Sequence, residues 1–121
     1  MGKKLLTETE LELMGILWAL GEGSVNDVLG RLPKSRALAY TSVSTILRIL
    51  EQKEIIASRK QGRGHVYYPL LEKQAYEQTS LEHLLNKVFD DNPSALVARL
   101  IETKGLSPAA LDEIRGLLEK A

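Results

Sequence analysis

Three consecutive stretches of helical period, followed by two short strand-like runs around a glycine-flanked turn, most limit what this chain can fold into. Thr7-Glu8-Thr9-Glu10 has capping-box spacing, with the Thr7 hydroxyl set to cap a helix and Glu10 three residues on. Leu11, Met14, Leu17 and Trp18 follow at helical period, Leu13 and Leu20 widen the stripe, and Gly21-Glu22-Gly23 stops it. Ser24-Val25-Asn26-Asp27 repeats the same spacing and opens a short second helix with Val28, Leu29 and Leu32, ended by Pro33. After a polar connector, Lys34 to Leu38, a third helix is predicted from Tyr40 or Thr41 to Lys53. It buries Val43, Ile46, Leu47 and Leu50 at i, i+3, i+4 and i+7. Two strands are then predicted, Ile55 to Lys60 and His65 to Leu70, joined by Gln61-Gly62-Arg63-Gly64. Helix, helix, helix, hairpin is the order of a winged helix-turn-helix.

Three more helices are predicted. One spans Glu72 to Phe89. The second starts at Asn92-Pro93-Ser94 and ends near Thr103 and Gly105, and the last starts at Ser107-Pro108. The expected fold class is mainly α with a small β-hairpin: a winged helix-turn-helix over residues 1–71, then a three-helix dimerisation module over 72–121. Apolar stripes support the second assignment. Leu81, Leu84, Leu85 and Val88 lie on one, Leu96, Val97, Leu100 and Ile101 on the next, and Leu111, Ile114, Leu117 and Leu118 on the third. These are more apolar faces than three short helices can bury against one another, and a second copy of the chain is the simplest partner.

Charge divides the chain in the same way, although the formal net charge is +0. From Arg31 to His65 the bases are Arg31, Lys34, Arg36, Arg48, Lys53, Arg59, Lys60 and Arg63, against Glu51 and Glu54 alone, a surplus of about six. Beyond Lys73 the balance turns acidic. A basic middle and an acidic end suggest two jobs, the first compatible with a nucleic acid. The third helix carries Thr41, Ser42, Ser44, Thr45 and Arg48 opposite its apolar stripe. Clustered hydroxyls are mediocre helix formers, so helix stability does not account for them. In a major groove they have a use: Ser and Thr bond phosphates or base edges, and Arg48 can reach the two acceptors of a guanine. The turn with Arg59, Lys60, Arg63 and His65 is a candidate wing for the phosphate backbone or a minor groove. Tyr67 and Tyr68 are expected to pack against the helices, and Trp18 to lie in the core.

Other chemistries lack their residues. With no cysteine there is no disulfide framework, thiolate metal site or Cys nucleophile. His65 and His83 have no ligand cluster, so neither metal nor cofactor is expected. No Gly-rich phosphate loop, nucleophile elbow or paired-carboxylate site stands out, and no enzyme is expected. No apolar run approaches the roughly 20 residues that cross a bilayer. Met1-Gly2-Lys3-Lys4-Leu5-Leu6 lacks an apolar core and cleavage site, so it is not read as a signal peptide, and a cytoplasmic location is expected. The alternative the residues leave open is a winged-helix protein-interaction module without specific DNA binding.

Several segments resemble the penicillinase-repressor family (BlaI/MecI/CopY). They are Leu6-Thr7-Glu8-Thr9-Glu10, Trp18 ending the first stripe, Ala39-Tyr40-Thr41-Ser42-Val43, Leu50-Glu51-Gln52-Lys53, the wing ending Tyr67-Tyr68-Pro69-Leu70, and Leu106-Ser107-Pro108 before an acidic amphipathic helix. The resemblance implies a cytoplasmic bacterial repressor that binds a dyad-symmetric operator in duplex DNA as a homodimer interlocked through its C-terminal helices. It implies that Thr41, Ser42, Ser44, Thr45 and Arg48 face the major groove, that Tyr40 touches the backbone, and that Arg63 and its neighbours form the wing. Leu81, Leu84, Leu85, Val88, Leu96, Leu100 and Ile101 would lie in the dimer module. The chain departs from the pattern twice. It lacks the Cys-x-Cys motifs of copper-responsive members, and Arg99-Leu100 stands where β-lactam-responsive members have the Asn-Phe bond that is cleaved. No inducing signal or protease is therefore assigned.

Overall fold

The computed structural model describes residues 5–121; the reading of Met1 to Lys4 lies outside the described residues. In chain order the elements are α1 (Glu8–Leu20), α2 (Val25–Arg31), α3 (Tyr40–Gln52), β1 (Ile56–Gln61), β2 (Gly64–Pro69), α4 (Lys73–Val88), α5 (Pro93–Lys104) and α6 (Pro108–Lys120). Both capping boxes form. Thr7 Oγ1 accepts from the Glu10 amide at 3.1 Å while Glu10 Oε1 accepts from the Thr7 amide at 3.0 Å. Ser24 and Asp27 do the same for α2, at 3.1 and 2.9 Å. Each box satisfies two of the amides a helix start leaves open.

The chain divides into two compact units, one ending at Ser80 and one spanning Leu81–Ala121. In the first, Leu13, Met14 and Leu17 of α1 pack with Val28, with Val43, Leu47 and Leu50 of α3, with Ile56 of β1 and with Tyr67 of β2. Leu11, expected on the buried stripe of α1, is exposed, because the inward face is centred on Leu13, Met14 and Leu17. β1 and β2 form an antiparallel hairpin with Ile56 opposite Pro69 and Gln61 opposite Gly64. Gly62 and Arg63 are left as a two-residue turn, with Gly62 at φ 62°. A third extended segment joins the hairpin: Gly23 N donates to Tyr67 O at 2.9 Å and Tyr67 N to Gly23 O at 2.8 Å.

The seam expected at 71/72 falls inside the first unit. Tyr76 of α4 is buried, and its hydroxyl accepts from the Leu6 amide at 2.9 Å. Trp18 is half-buried rather than central. Its Nε1 donates to Leu71 O at 2.8 Å, and its ring lies 6.0 Å from that of Tyr76. An aromatic pair and two long-range hydrogen bonds thus hold the first turns of α4 on the winged-helix unit.

In the second unit α5 is capped by Asn92 and α6 by Ser107, each with proline in its first turn. No residue of α5 or α6 is buried in the single chain. Leu81, Leu84, Val88, Leu100 and Ile101 are exposed, as are Leu117 at 66% and Leu118 at 68%, while Leu85, Leu96, Leu111 and Ile114 are half-buried. No helix among the described residues is long and apolar enough to cross a membrane.

Glu10 is the one buried charged side chain of the first unit's core among the described residues, and Lys53 at the end of α3 reaches it at 2.9 Å. Burial raises the Glu10 pKa, but the Thr7 amide and the Lys53 ammonium outweigh it and hold the carboxyl below its ordinary value near 4.5. A lowered folded value means the carboxylate stabilises the fold at neutral pH, and that this stabilisation disappears as pH falls below about 4.5 through the lower folded value. Glu10→Gln, which keeps a capping acceptor but not the charge, is expected to lower stability at pH 7 by about 1 kcal/mol. The difference from wild type should shrink towards zero below pH ~4. Denaturant unfolding of both proteins from pH 7 to pH 3 checks this; a pH-independent gap would remove the ion pair from the account.

Candidate nucleic-acid interface

Burial of Val43, Leu47 and Leu50 fixes which side of α3 faces out. At about 100° per residue, Thr41, Thr45, Arg48 and Gln52 lie at the centre of the opposite face, all exposed. Ser42 and Ile49 flank it, also exposed, and Ser44 sits half-buried at its margin. Tyr40, the first residue of the helix, is 50% exposed. Gln52 and Ile49 were not among the residues expected on the outward face, although Gln52 follows Arg48 by four residues and continuing the helical count would have found it.

The start of α3 differs from its neighbours. α1, α2, α5 and α6 each have a side-chain cap, but α3 begins at Ala39, which has none. The first amides of α3 therefore have no side-chain acceptor, and they carry the positive end of the helix dipole. An uncapped helix start of this kind is suited to an anion such as a phosphate oxygen.

The hairpin register sorts the wing residues onto two faces, since residues directly opposite each other share a face and neighbours alternate. Lys60 and His65 share the inner face with Ile56, Ser58 and Tyr67. That face meets α3, where Ser58 Oγ donates to Glu51 Oε2 at 2.5 Å. Arg59 lies on the outer face with Gln61, Val66 and Tyr68. By the same alternation Tyr67 enters the core with residues of the three helices, and Tyr68, half-buried, takes the outer face near Arg59. Burial raises the Tyr67 pKa, with Glu51 adding to the rise and Arg48 opposing it.

The basic surplus is partly spent within the chain. Arg36 pairs with Glu12 at 2.8 Å, Lys53 with Glu10, and Arg59 with Glu22 through both terminal nitrogens at 2.8 and 2.6 Å. Arg31, Lys34, Arg48, Lys60 and Arg63 form no ion pair among the described residues. Arg63 stands at the turn of the hairpin and Arg48 on the outward face of α3, while Lys60 and His65 are exposed beside that turn. No group of three or more His, Asp or Glu side chains among the described residues is placed to hold a metal ion.

A helix packed by one face on two others, its polar face outward, beside a hairpin tipped with unpaired cations defines a winged helix-turn-helix regulator of the DNA-binding class. The penicillinase repressor family model matches residues 6–120, and the chain belongs to that family. It is 25% identical over 115 residues to the methicillin resistance regulatory protein MecI of Mammaliicoccus sciuri, covering 95% of this chain and 94% of that protein. The solution structure of the DNA-binding domain of the repressor BlaI is 29% identical, with a TM-score of 0.53 over 61% of this chain and 93% of that one. The monomeric form of Bacillus licheniformis BlaI in complex with the blaP half-operator is 27% identical, with a TM-score of 0.52 over 60% of this chain and 89% of that one. The family is one of transcriptional repressors rather than enzymes, and this chain is a DNA-binding repressor.

Proposed function

We propose that the chain represses transcription by occupying a dyad-symmetric operator as a homodimer. The observation that carries this reading is the outward face of α3. Thr41, Ser42, Thr45 and Arg48 are exposed while Val43, Leu47 and Leu50 on the opposite side are fully buried, so the polar face is presented by the core. In this reading α3 lies in the major groove. Thr41 and Thr45 approach base edges with short side chains, Arg48 donates to a guanine, and Ser42, Ser44, Tyr40 and the open amides at the helix start bond phosphates. Arg63, Lys60 and His65 run along the backbone as the wing. The relative that carries the DNA-bound precedent is BlaI, described with a half-operator.

Two-fold symmetry follows from matching needs. A dyad-symmetric site offers two equivalent half-sites, and exposed Leu81, Leu84, Val88, Leu100, Ile101 and Leu118, with half-buried Leu85, Leu96, Leu111 and Ile114 beside them, give the second unit an apolar surface that one chain leaves only partly covered. A dimer seated on a promoter-overlapping operator excludes polymerase by occupancy, without chemistry.

Three outcomes test the reading, using an operator recovered by selecting bound duplexes from a random pool. Arg48→Ala is expected to weaken operator binding by about 1–3 kcal/mol and leave random-duplex binding nearly unchanged. Equal losses on both would move Arg48 to a backbone role. Arg63→Ala is expected to weaken binding to every duplex by a similar factor and to lower the slope of log affinity against log salt by about one; an unchanged slope removes Arg63 from the phosphates. Replacing both Leu117 and Leu118 with glutamate puts charge where the single chain is already open to water, so the first unit, whose core contains neither residue, should remain folded in each protomer. Sedimentation is expected to find a monomer, with operator affinity down by roughly a hundredfold because two heads no longer share one effective concentration. A wild-type protein that is monomeric at micromolar concentration overturns the homodimer.

A further inference from the structure

The wing is braced on both faces by consecutive residues of β1. On the inner face Ser58 donates to Glu51 of α3. On the outer face Arg59 Nη1 and Nη2 donate to the two carboxylate oxygens of Glu22, at 2.8 and 2.6 Å, and Nη2 also lies 3.4 Å from Gln61 Oε1. Glu22 directly follows α1 and its Gly21 cap, and precedes Gly23, which pairs with Tyr67. Since Gly23 and Tyr67 are directly opposite, the neighbouring Glu22 projects to the outer face with Val66 and Tyr68. Arg59, opposite Val66, is on that face too. The pair thus crosses over β2, from the end of α1 to β1.

We infer that the Glu22–Arg59 pair is a strap that sets the wing against α3, so that Glu22 and Arg59 are positioning residues for operator binding and Arg59 is not a phosphate contact. The inference rests on the operator-binding reading proposed above, and it revises the wing assignment made from sequence for Arg59. Three features carry it. Both terminal nitrogens of the guanidinium are already engaged in the two-point geometry that arginine and carboxylate share and lysine cannot reproduce. The side chain sits on the face turned away from α3, whereas Lys60 and His65 share the inner face. Beyond Ser58 and its partner Tyr67, whose ring is seated in the core and whose backbone pairs with Gly23, the hairpin is exposed apart from half-buried Val66. The mutual hydrogen bond lowers the Glu22 pKa and raises that of Arg59, so the pair stays ionised across the working range.

Full-length Glu22→Gln, Arg59→Lys, the double variant and the exchanged pair E22R/R59E test the strap. Arg59→Lys keeps the charge and loses the two-point bond, so a phosphate contact tolerates it and a strap does not. The expected result is a loss of operator affinity of about three- to fivefold per wing for either single variant, no further loss in the double variant, and recovery in the exchanged pair. The salt slope and random-duplex affinity should stay at their wild-type values for Arg59→Lys. Hydrogen exchange reads the strap without DNA: the Gly23 and Tyr67 amides should exchange faster in both single variants, with thermal unfolding of the whole chain unchanged. Wild-type affinity in Arg59→Lys, or tighter operator binding in Glu22→Gln, would make Arg59 a phosphate contact and overturn the strap. Unchanged amide exchange overturns it as well. A wild-type protein that selects no operator sinks the repressor mechanism while leaving the exchange result to judge the strap.

Discussion

Everything at the interface depends on one packing contact, the seating of Val43, Leu47 and Leu50 of α3 against Leu13, Met14 and Leu17 of α1. All six side chains are fully buried. Truncating any one leucine in such a core costs about 2–5 kcal/mol. Because the apolar stripe of α3 has only one place to go, the rotation of the helix about its axis is settled, and with it which hydroxyls and which arginine face water. Val28, Ile56 and Tyr67 close the same core, so the α1–α2 layer and the hairpin take their positions from the surface that orients α3. In the proposed reading α3 must be rigid against rotation if its side chains are to meet base edges at hydrogen-bond distances, and that rigidity comes from its buried face.

Electrostatics is layered over that packing. Three acids on α1 or just after it, Glu10, Glu12 and Glu22, each take one base of the basic segment: Lys53, Arg36 and Arg59. Each pair ties α1 or its C-terminal end to a different later piece of the winged helix: the end of α3, the α2–α3 connector and β1. The exposed pairs contribute little to global stability; Glu10–Lys53, with its carboxylate inside the core, contributes more. What remains unpaired, Arg48 on α3 and Lys60 and Arg63 at the wing among them, is a smaller and better placed set of cations than the surplus of about six in the sequence suggests. Net charge of a segment overstates its field wherever fixed partners lie elsewhere in the chain.

The sequence was most legible where local chemistry decides structure. Thr7 with Glu10, Ser24 with Asp27, Asn92 with Pro93 and Ser107 with Pro108 mark four helix starts that form where their spacing puts them. The hairpin followed from the glycine-flanked turn, and the outward face of α3 from the 3.6-residue period of its buried stripe. What escaped was non-local. Nothing in Glu22 announces a guanidinium 37 residues later, and nothing in Gly23 announces a backbone pairing with Tyr67. Leu11 looked buried because periodicity gives a stripe without giving its centre. The seam at 71/72 missed its place because Trp18 and Tyr76 form a contact across 58 positions, which no local turn signal encodes.

The two compact units solve opposite versions of the size problem. The first has enough chain to close a core, and its polar surface is left free for recognition. The second, Leu81–Ala121, has well-capped helices and no buried residue in α5 or α6. Caps and first-turn prolines hold a helix locally for about 1 kcal/mol each, which does not offset the backbone entropy of ordering some forty residues without a core. In the proposed dimer the missing burial comes from the second chain, so the order of the second unit becomes a function of protomer concentration. Operator occupancy then depends on that concentration twice, through assembly of the pair and through binding of the assembled pair. In that proposed dimer, any event that weakens the apolar contact between chains would release the DNA without touching α3 or the wing, so a signal directed at the second unit would need no route through the core of the first.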